Sequence, residues 1–499
     1  MIKARIGSKW REYEGELETY FSSFRDGIIG NNQLMQTPYG EKKIIYADWT
    51  ASGRLYEPIE KKMIEKIGPF MANTHTESNT TSSFMTAAYK KAKEIIKHHV
   101  NASQQDVLVM DGFGMTSVMN KFQRMLGFRG PESWKVTLNL NAKERPIVFI
   151  THMEHHSNHT SWLETIAEVV IVPPDKGGFV SPSNLEQLLK KFHHRKWKIG
   201  SFTACSNVTG ILTPYHELAK IMHQHGGICI VDFAAAAPYM TIDMHPNNDL
   251  ERLDAIVFSP HKFLGGPGTS GVLLFDRNLY KNKVPDHPGG GTVTWTNPWG
   301  GHAYYEDIET REEGGTPGIL QAIRTALCIK IKEKMGIEQI MKREKELVGI
   351  ILEELKSIQK VQVLEADKKE RLGVVSFCVE GMHYNLVVKL LNDRYGYQVR
   401  GGCSCAGTYG HYLFHINQEG SKEITDKISA GDLSKKPGWV RFSLHPTMTN
   451  AEIYDFVAAL KAIVLHQDSW KKEYKYCASC NDYFYIKPEG RNVDSVFTV

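Results

Sequence analysis

Seven short, β-rich apolar runs between residues 44 and 275, set among helix-length stretches, restrict the fold of this chain more than any other feature. The runs fall at 107–110, 147–150, 169–172, 199–203, 227–231, 255–258 and 271–275. Helical patterns lie at 87–98, 115–126, 161–168, 184–191 and 215–225. An apolar run without polar alternation is what a strand buried on both faces requires. Strands alternating with crossover helices predict an α/β fold with a mostly parallel seven-stranded sheet, covered on both sides.

Outside that block the pattern changes. The first forty residues are polar and mixed, with aromatics at Trp10, Tyr13, Tyr20 and Phe21. They predict an amphipathic helix and then a loop ending at Pro38 and Gly40. Residues 285–318 are rich in Gly, Pro and Trp and have no period, which predicts a long functional or interfacial loop. Two long helices are expected at 319–335 and 337–358, then a strand at 373–379 and a helix at 384–392. A loop at 399–410, a strand at 440–444 and a helix at 450–465 follow. The organisation expected is an N-terminal arm (1–40), a large domain (41–318), a smaller C-terminal α+β domain (319–468) and an irregular tail (469–499).

Composition narrows the function classes. Lys and Arg total 60 against 56 Asp and Glu, a net charge of +4, without the concentrated positive charge of a nucleic-acid or polybasic membrane binder. Hydrophobic residues make up 41% and charged residues 23%, enough to bury a sizeable core. Eight cysteines in 499 residues are too sparse for a disulfide scaffold. No run has the length or apolarity of a membrane span, and the charged N-terminus lacks a signal-peptide core. A cytoplasmic enzyme with no nucleic-acid or membrane partner is the expectation.

Three segments carry candidate chemistry. Asp111-Gly-Phe-Gly-Met-Thr-Ser117 follows a strand and opens a helix, where free N–H groups favour an anion. The alternative is a plain tight turn. Ser259-Pro-His-Lys262 follows another strand and places a lysine at the mouth of a parallel sheet, suited to Schiff-base formation or simply exposed in a turn. Asp232, at the end of an apolar strand, needs a cationic or hydrogen-bonding partner, and a protonated pyridine nitrogen is one. Thr151-His-Met-Glu-His-His-Ser-Asn158, with His159, offers imidazoles either for a metal or for stacking on a flat cofactor; acidic and Cys ligands at metal spacing are missing, and no metal is expected.

In this order the segments resemble pyridoxal-phosphate (PLP) enzymes of the class V aminotransferase fold, in particular cysteine desulfurases and selenocysteine lyases. The resemblance runs from about residue 44 to residue 465. It includes Tyr46-Ala-Asp-Trp-Thr-Ala-Ser52, Ser206-Asn-Val-Thr-Gly210, Gly289-Gly-Gly291, Glu313-Gly-Gly-Thr-Pro317, Val399-Arg-Gly-Gly-Cys-Ser-Cys405 and Arg441. It implies the PLP-dependent transferase fold type I. By resemblance, Lys262 carries PLP as a Schiff base and acts as general base and acid. Asp232 pairs with the pyridine nitrogen, His155 stacks on the ring, and Asn207 lies near the phenolic oxygen. Met115, Thr116, Ser259 and His261 hold the phosphate. Thr316 adds a phosphate contact from the second subunit of a homodimer with a shared active site. Arg441 binds the substrate carboxylate in its planar fork, and Arg400 supports the substrate or the loop.

The family's Arg-x-Gly-x-x-Cys pattern places the sulfur-accepting nucleophile at Cys405, in a glycine-rich loop; a buried structural thiol is the alternative. Cys403, two residues away, resolves a persulfide, is itself the nucleophile, or is inert. The implied reaction takes L-cysteine or L-selenocysteine to L-alanine and passes sulfur through a Cys405 persulfide to a protein acceptor. Transamination, epimerisation, C–S lysis without a persulfide, and a non-enzymatic PLP-binding scaffold are the alternatives. One departure stands out: the family's desulfurases carry Gln three residues after the aspartate, and this chain has Ala235. Cys477-Ala-Ser-Cys480 in the tail lacks a second ligand pair for zinc and reads as incidental or as a site of redox exchange or sulfur relay.

Overall fold

A computed structural model of the chain describes residues 15–74, 76–135, 141, 143–487 and 493–498; Trp10 and Tyr13 lie outside them. All seven apolar runs are strands of one sheet: β1 (Asp106–Asp111), β2 (Ile147–Thr151), β3 (Glu168–Val172), β4 (Lys198–Thr203), β5 (Ile228–Asp232), β6 (Ala255–Phe258) and β7 (Gly271–Asp276). Their order is β1-β7-β6-β5-β4-β2-β3. The five adjacent strands β6-β5-β4-β2-β3 run parallel, in four pairings, and β7 lies antiparallel to both β1 and β6. Six strands therefore end on the same side, where open α/β sheets bind their ligands.

The strands form because their residues have no solvent face. Ile230, Val231, Ile256 and Val257 are all fully buried. Helices cover both sides. The helix Met115–Met125 turns Met115, Val118, Met119, Phe122 and Met125 inward, at the three- and four-residue spacing of one helical face.

A second sheet lies between residues 361 and 443. It comprises β8 (Val361–Val363), β9 (Val374–Val379), β10 (Arg400–Gly402) and β11 (Trp439–Ser443), all antiparallel in the order β8-β9-β11-β10. The segment after Ile44 is clamped to it. Ile45–Tyr46 pairs in parallel with Tyr397–Gln398, and the Ser443 N–H donates to the Ala47 carbonyl at 2.8 Å. That clamp carries Asp48 to the active face.

Several expectations are corrected. The helix expected at 161–168 is His156–Leu163: His155 caps its start, and Glu168 already belongs to β3. The loop expected before residue 40 continues into a hairpin, Leu34–Thr37 with Gly40–Lys43. The 285–318 stretch holds a hairpin (Val293–Thr296 with His302–Tyr304) and a short helix, Ile308–Glu312. The expected 399–410 loop contains β10 and the first turn of a helix, Gly407–Leu413. The tail is not irregular: β12 (Tyr474–Cys477) and β13 (Asp482–Tyr485) form a hairpin. These elements are short and polar-faced, so they leave no apolar run in the sequence.

Because Ile230 sits at the centre of a strand buried on both faces, Ile230→Ala removes packed volume that cannot collapse. It should cost about 2–5 kcal/mol of stability. Ile64→Ala, at a residue 71% exposed, should change stability by no more than about 0.5 kcal/mol. Thermal unfolding of the two variants checks the contrast.

Candidate active site

A cavity of about 800 Å³ opens at the carboxyl ends of β1, β2, β4, β5 and β6. Eleven of the twelve expected site residues line it: Met115, Thr116, His155, Asn207, Asp232, Ser259, His261, Lys262, Arg400, Cys405 and Arg441. Thr316 does not. It lies on the Gly-rich segment, within 3.4 Å of the Asn73 amide.

Each strand end makes a different contribution. After β1 the chain turns at Gly112, whose φ of +54° favours glycine; a Cβ there would meet Ser117 Oγ at 2.0 Å. The turn delivers the start of the helix Met115–Met125. The Met115 N–H donates to Ser259 Oγ at 2.8 Å, which ties the helix start to the loop after β6. Thr116 Oγ1 and Ser157 Oγ are 2.6 Å apart. At Gly114 a Cβ would come within 3.2 Å of Ser259 Oγ and 3.6 Å of the His261 ring. The result is a hydroxyl- and amide-lined cradle of the kind that takes a phosphate group.

Deeper in, Asp232 and Lys262 end neighbouring strands or the turn beyond. Asp232 accepts the Ala234 N–H at 2.8 Å. Burial pushes its carboxyl up to about 6, opposed by that hydrogen bond and by the Lys262 charge. Burial pushes the Lys262 amine down, against the attraction of Asp232 and with the repulsion of Arg441. The Lys262 turn is fixed from outside by the Gly53 N–H, which donates to the His261 carbonyl at 2.8 Å. A Cβ on Gly53 would stand 1.9 Å from the Phe263 carbonyl oxygen, so only glycine allows this approach.

The histidine motif divides its work. His155 accepts the Ser157 N–H on Nδ1 at 3.1 Å, and burial, then the Lys262 charge, lowers its pKa to about 3. It is a neutral ring facing the cavity. His152 is buried edge-on against Tyr409 and Tyr412. His156 holds the cysteine loop at two points: its N–H donates to the Cys405 carbonyl at 2.7 Å, and its Nε2 accepts the Gly407 N–H at 2.9 Å. His159 Nδ1 lies 3.1 Å from Thr408 Oγ1. Among the described residues no group of three or more His, Cys, Asp or Glu side chains is arranged to hold a metal.

Cys405 is exposed at the cavity mouth, whereas Cys403 is half-buried against the apolar core. Ser404 and Cys405 both have left-handed backbones, φ +50° and +56°. Non-glycine residues rarely adopt that conformation, so the docked loop is strained and held in place by its contacts. Besides the bonds to His156, the Asn207 amide donates to the Ser404 carbonyl at 2.7 Å.

Asp48 lies in the Tyr46–Ser52 motif, but the motif assigns it no individual role. Its carboxylate bridges both arginines: Oδ2 accepts from Arg400 Nε at 2.9 Å and Oδ1 pairs with Arg441 at 2.8 Å. Two guanidinium groups thus share one carboxylate, leaving one net positive charge toward the cavity. Arg441 also donates to the Asn207 carbonyl at 3.0 Å, while its buried Nε has no partner in the structure. Glu154 was also missed. Fully buried, and pushed up to about 7 by that burial, it accepts from Thr151 Oγ1, Asn158 Nδ2 and the Thr203 N–H, joining β2 to β4 beneath the histidines.

These features fit pyridoxal phosphate. An anion cradle, a buried carboxylate, a neutral imidazole and a buried amine face one cavity, with Asn207 Oδ1, Ser404 Oγ and Arg441 Nε left as orphaned polar atoms around it. Where the family places Gln, Ala235 presents only a methyl group to the cavity.

Known proteins resemble this chain in sequence and in fold. The sequence model of the family described as Aminotransferase class-V matches residues 45–456. A probable cysteine desulfurase of Staphylococcus aureus (strain Mu50) is 28% identical over 383 residues, 76% of this chain and 87% of its own length. A probable cysteine desulfurase of Halalkalibacterium halodurans is 29% identical over 367 residues, 73% and 84% of the two chains. Among solved structures, a cysteine desulfurase from Thermococcus onnurineus NA1 superposes with a TM-score of 0.69 at 24% identity, covering 89% of this chain and 98% of its own. The Escherichia coli cysteine desulfurase CsdA gives a TM-score of 0.68 at 21% identity, covering 90% and 98%.

Two predictions follow from this geometry. The Asp232 carboxyl rises from 3.8 to about 6 on folding, so the cofactor-free chain pays no penalty below pH 3.8 and loses stability as the pH rises through 6. That loss should be roughly 3 kcal/mol and absent in Asp232→Asn; denaturant midpoints at about pH 4 and about pH 7 measure it. Second, His156→Ala removes the acceptor for the Gly407 N–H while keeping the backbone bond to Cys405, and should loosen the loop and raise alkylation of Cys405, followed by peptide mass spectrometry, several-fold. His156→Gln retains an acceptor for the Gly407 N–H and should stay near wild type. An unchanged rate in His156→Ala would mean that other contacts hold the loop.

Proposed function

The chain belongs to the class-V aminotransferase family, and from that premise we propose that it is a PLP-dependent cysteine desulfurase, converting L-cysteine or L-selenocysteine to L-alanine. One observation carries the reading: Lys262, Asp232 and His155 line the same cavity whose mouth presents Cys405. A scaffold that merely binds a cofactor has no need of a thiol there.

Lys262, Asp232, His155 and Asn207 would hold the cofactor's ring, and Met115, Thr116, Ser259 and His261 its phosphate. When bound, pyridoxal phosphate supplies an electron sink for bonds at the amino acid's α-carbon. The rest is done by the chain's own groups. Arg441, its plane fixed by Asp48, takes the substrate carboxylate with Arg400 beside it. Lys262, its pKa lowered by burial, takes the proton from the α-carbon and later returns one. The Cys405 sulfur attacks the substrate Sγ: an S–S bond forms, the Cβ–Sγ bond breaks, and Cβ takes up a proton. L-cysteine and the Cys405 thiol thus become L-alanine and a Cys405 persulfide, with atoms and electrons balanced. The strained, glycine-flanked loop suits a nucleophile that must also leave the cavity and hand its sulfur to a protein acceptor.

The exposed Gly-rich segment, with Trp299 88% exposed, supports a homodimer in which Thr316 completes the partner's phosphate site. No helix among the described residues is long and apolar enough to cross a membrane, and a free catalytic thiol suits the cytoplasm.

The test reconstitutes the protein with pyridoxal phosphate. Wild type should gain a visible absorbance band that Lys262→Ala lacks, and Lys262→Ala should lose at least about 10²-fold in rate. Incubated with L-cysteine, wild type and Cys403→Ala should yield alanine and protein-bound persulfide, and Cys405→Ala should yield no persulfide. If Cys405→Ala makes as much as wild type, the nucleophile is misassigned. If cysteine is not consumed while another amino acid changes the band, the enzyme is a transaminase or epimerase of the same fold.

A further inference from the structure

The hairpin of β12 and β13 turns through Cys477-Ala-Ser-Cys480-Asn481, and nothing in the chemistry above uses its two thiols. Both are free, Cys480 exposed and Cys477 half-buried. Their sulfurs are in direct contact, so a disulfide between them would need little movement of the turn. The Cys480 N–H donates to Cys477 Sγ at 3.3 Å, and the Ser479 hydroxyl stands 3.3 Å from the same sulfur. Donors converging on one sulfur stabilise its thiolate: the Cys480 thiol, then Ser479, draw the Cys477 thiol down to about 7, and the same contact with Cys477 raises Cys480. A thiolate beside a protonated thiol is the division of labour in dithiol exchange, one attacking and the other resolving.

The turn is braced. Asn481 takes a left-handed φ of +55°, donates to Tyr384 OH at 2.7 Å and accepts from Tyr476 OH at 2.9 Å. The Ala478 carbonyl accepts the Leu433 N–H at 3.1 Å, and Tyr474 OH donates to Asp393 at 2.7 Å. Beside Cys480 a cavity of about 340 Å³, lined by Asn385, Lys389, Gln398 and Asp482, leaves a donor molecule room to approach. Tyr384 joins this hairpin to the root of the Cys405 loop. A Cβ on Gly438 would meet its ring at 2.6 Å and Gly402 Cα at 2.8 Å.

We propose that Cys477 and Cys480 form a second reactive site, one that accepts the terminal sulfur of a persulfide and discharges it as hydrosulfide. The site deepens the proposed function, which supplies a donor in the form of the Cys405 persulfide of this or another copy. The Cys477 thiolate attacks the donor's outer sulfur; the donor S–S bond breaks, a thiol leaves, and Cys477 carries the persulfide. The Cys480 sulfur then attacks Cys477 Sγ, forming the Cys477–Cys480 disulfide and expelling hydrosulfide. One persulfide and two thiols give one thiol, one disulfide and one hydrogen sulfide. The sulfane sulfur gains the two electrons that the dithiol loses, and a small dithiol resets the pair.

The experiment uses the full-length reduced holoenzyme and two sulfur donors. Given glutathione persulfide, wild type should release about one equivalent of sulfide per chain from this pair and acquire a Cys477–Cys480 cross-link in its peptide map. Cys480→Ser should stop with a persulfide on Cys477. Cys477→Ser should release about tenfold less sulfide and form no cross-link. L-cysteine with pyridoxal phosphate then tests the coupling to Cys405. Discharge from glutathione persulfide with no alanine formed from L-cysteine would leave the dithiol site standing and sink the desulfurase reading; alanine formed without sulfide discharge would overturn the coupling of the two sites. Equal sulfide from wild type and Cys477→Ser would overturn the dithiol site, as would thiols found occupied by zinc and unreactive.

Discussion

Two opposite charges withdrawn from water at the ends of neighbouring strands set the terms for the rest of this structure. Asp232 closes β5, and Lys262 sits one short turn beyond β6. Both are unfavourable where they stand, as their pKa values show: the acid is pushed up and the amine down, each by burial first. A fold keeps such groups buried only where a ligand completes their charge or where neutral forms are useful. The parallel neighbours β4, β5 and β6 supply the rigidity this requires, because their side chains cannot relax toward solvent. The Ser259, His261 and Gly53 contacts then fix the lysine's turn from the other side.

The outer half of the site is built on a different principle. Arg441 and Arg400 come from β11 and β10, and Asp48 comes from a segment 393 positions earlier than Arg441. One carboxylate between two guanidinium groups holds both planes without cancelling both charges, so the mouth keeps a single net cationic charge suited to an amino acid's carboxylate. Asp48 reaches that place because Ile45–Tyr46 pairs in parallel with Tyr397–Gln398, which leads directly into the strand carrying Arg400.

How much of this could be read from the sequence follows from burial. The seven strands were legible because each is apolar on both faces, and such runs have few alternative structures. Lys262, Asp232 and the Gly112 turn were legible because strand ends in a parallel sheet converge. The hairpins at 34–43 and 474–485 were not, since strands such as Gly40-Glu-Lys-Lys43 turn charged side chains outward and carry no hydrophobic signature. Asp48 was invisible for another reason: its role exists only once two distant arginines are brought to it. Glu154 and His156 were hidden in a motif whose spacing suggested a metal or a stacked ring, when only His155 faces the cavity and the others serve as struts.

The histidine struts bear on where the thiol sits. Left-handed backbone at both Ser404 and Cys405 costs free energy, which the contacts from His156, Asn207 and, through Thr408, His159 offset. Those contacts keep Cys405 at the mouth of the cavity. His156 contributes only as a neutral ring, because Nε2 must accept the Gly407 N–H; burial, with a smaller push from Lys436, lowers its pKa and keeps it so. The same helix start thus positions His155 toward the cavity and anchors the Cys405 loop through His156, so that strain in one loop is set against two hydrogen bonds from the residue beside the cavity-facing imidazole.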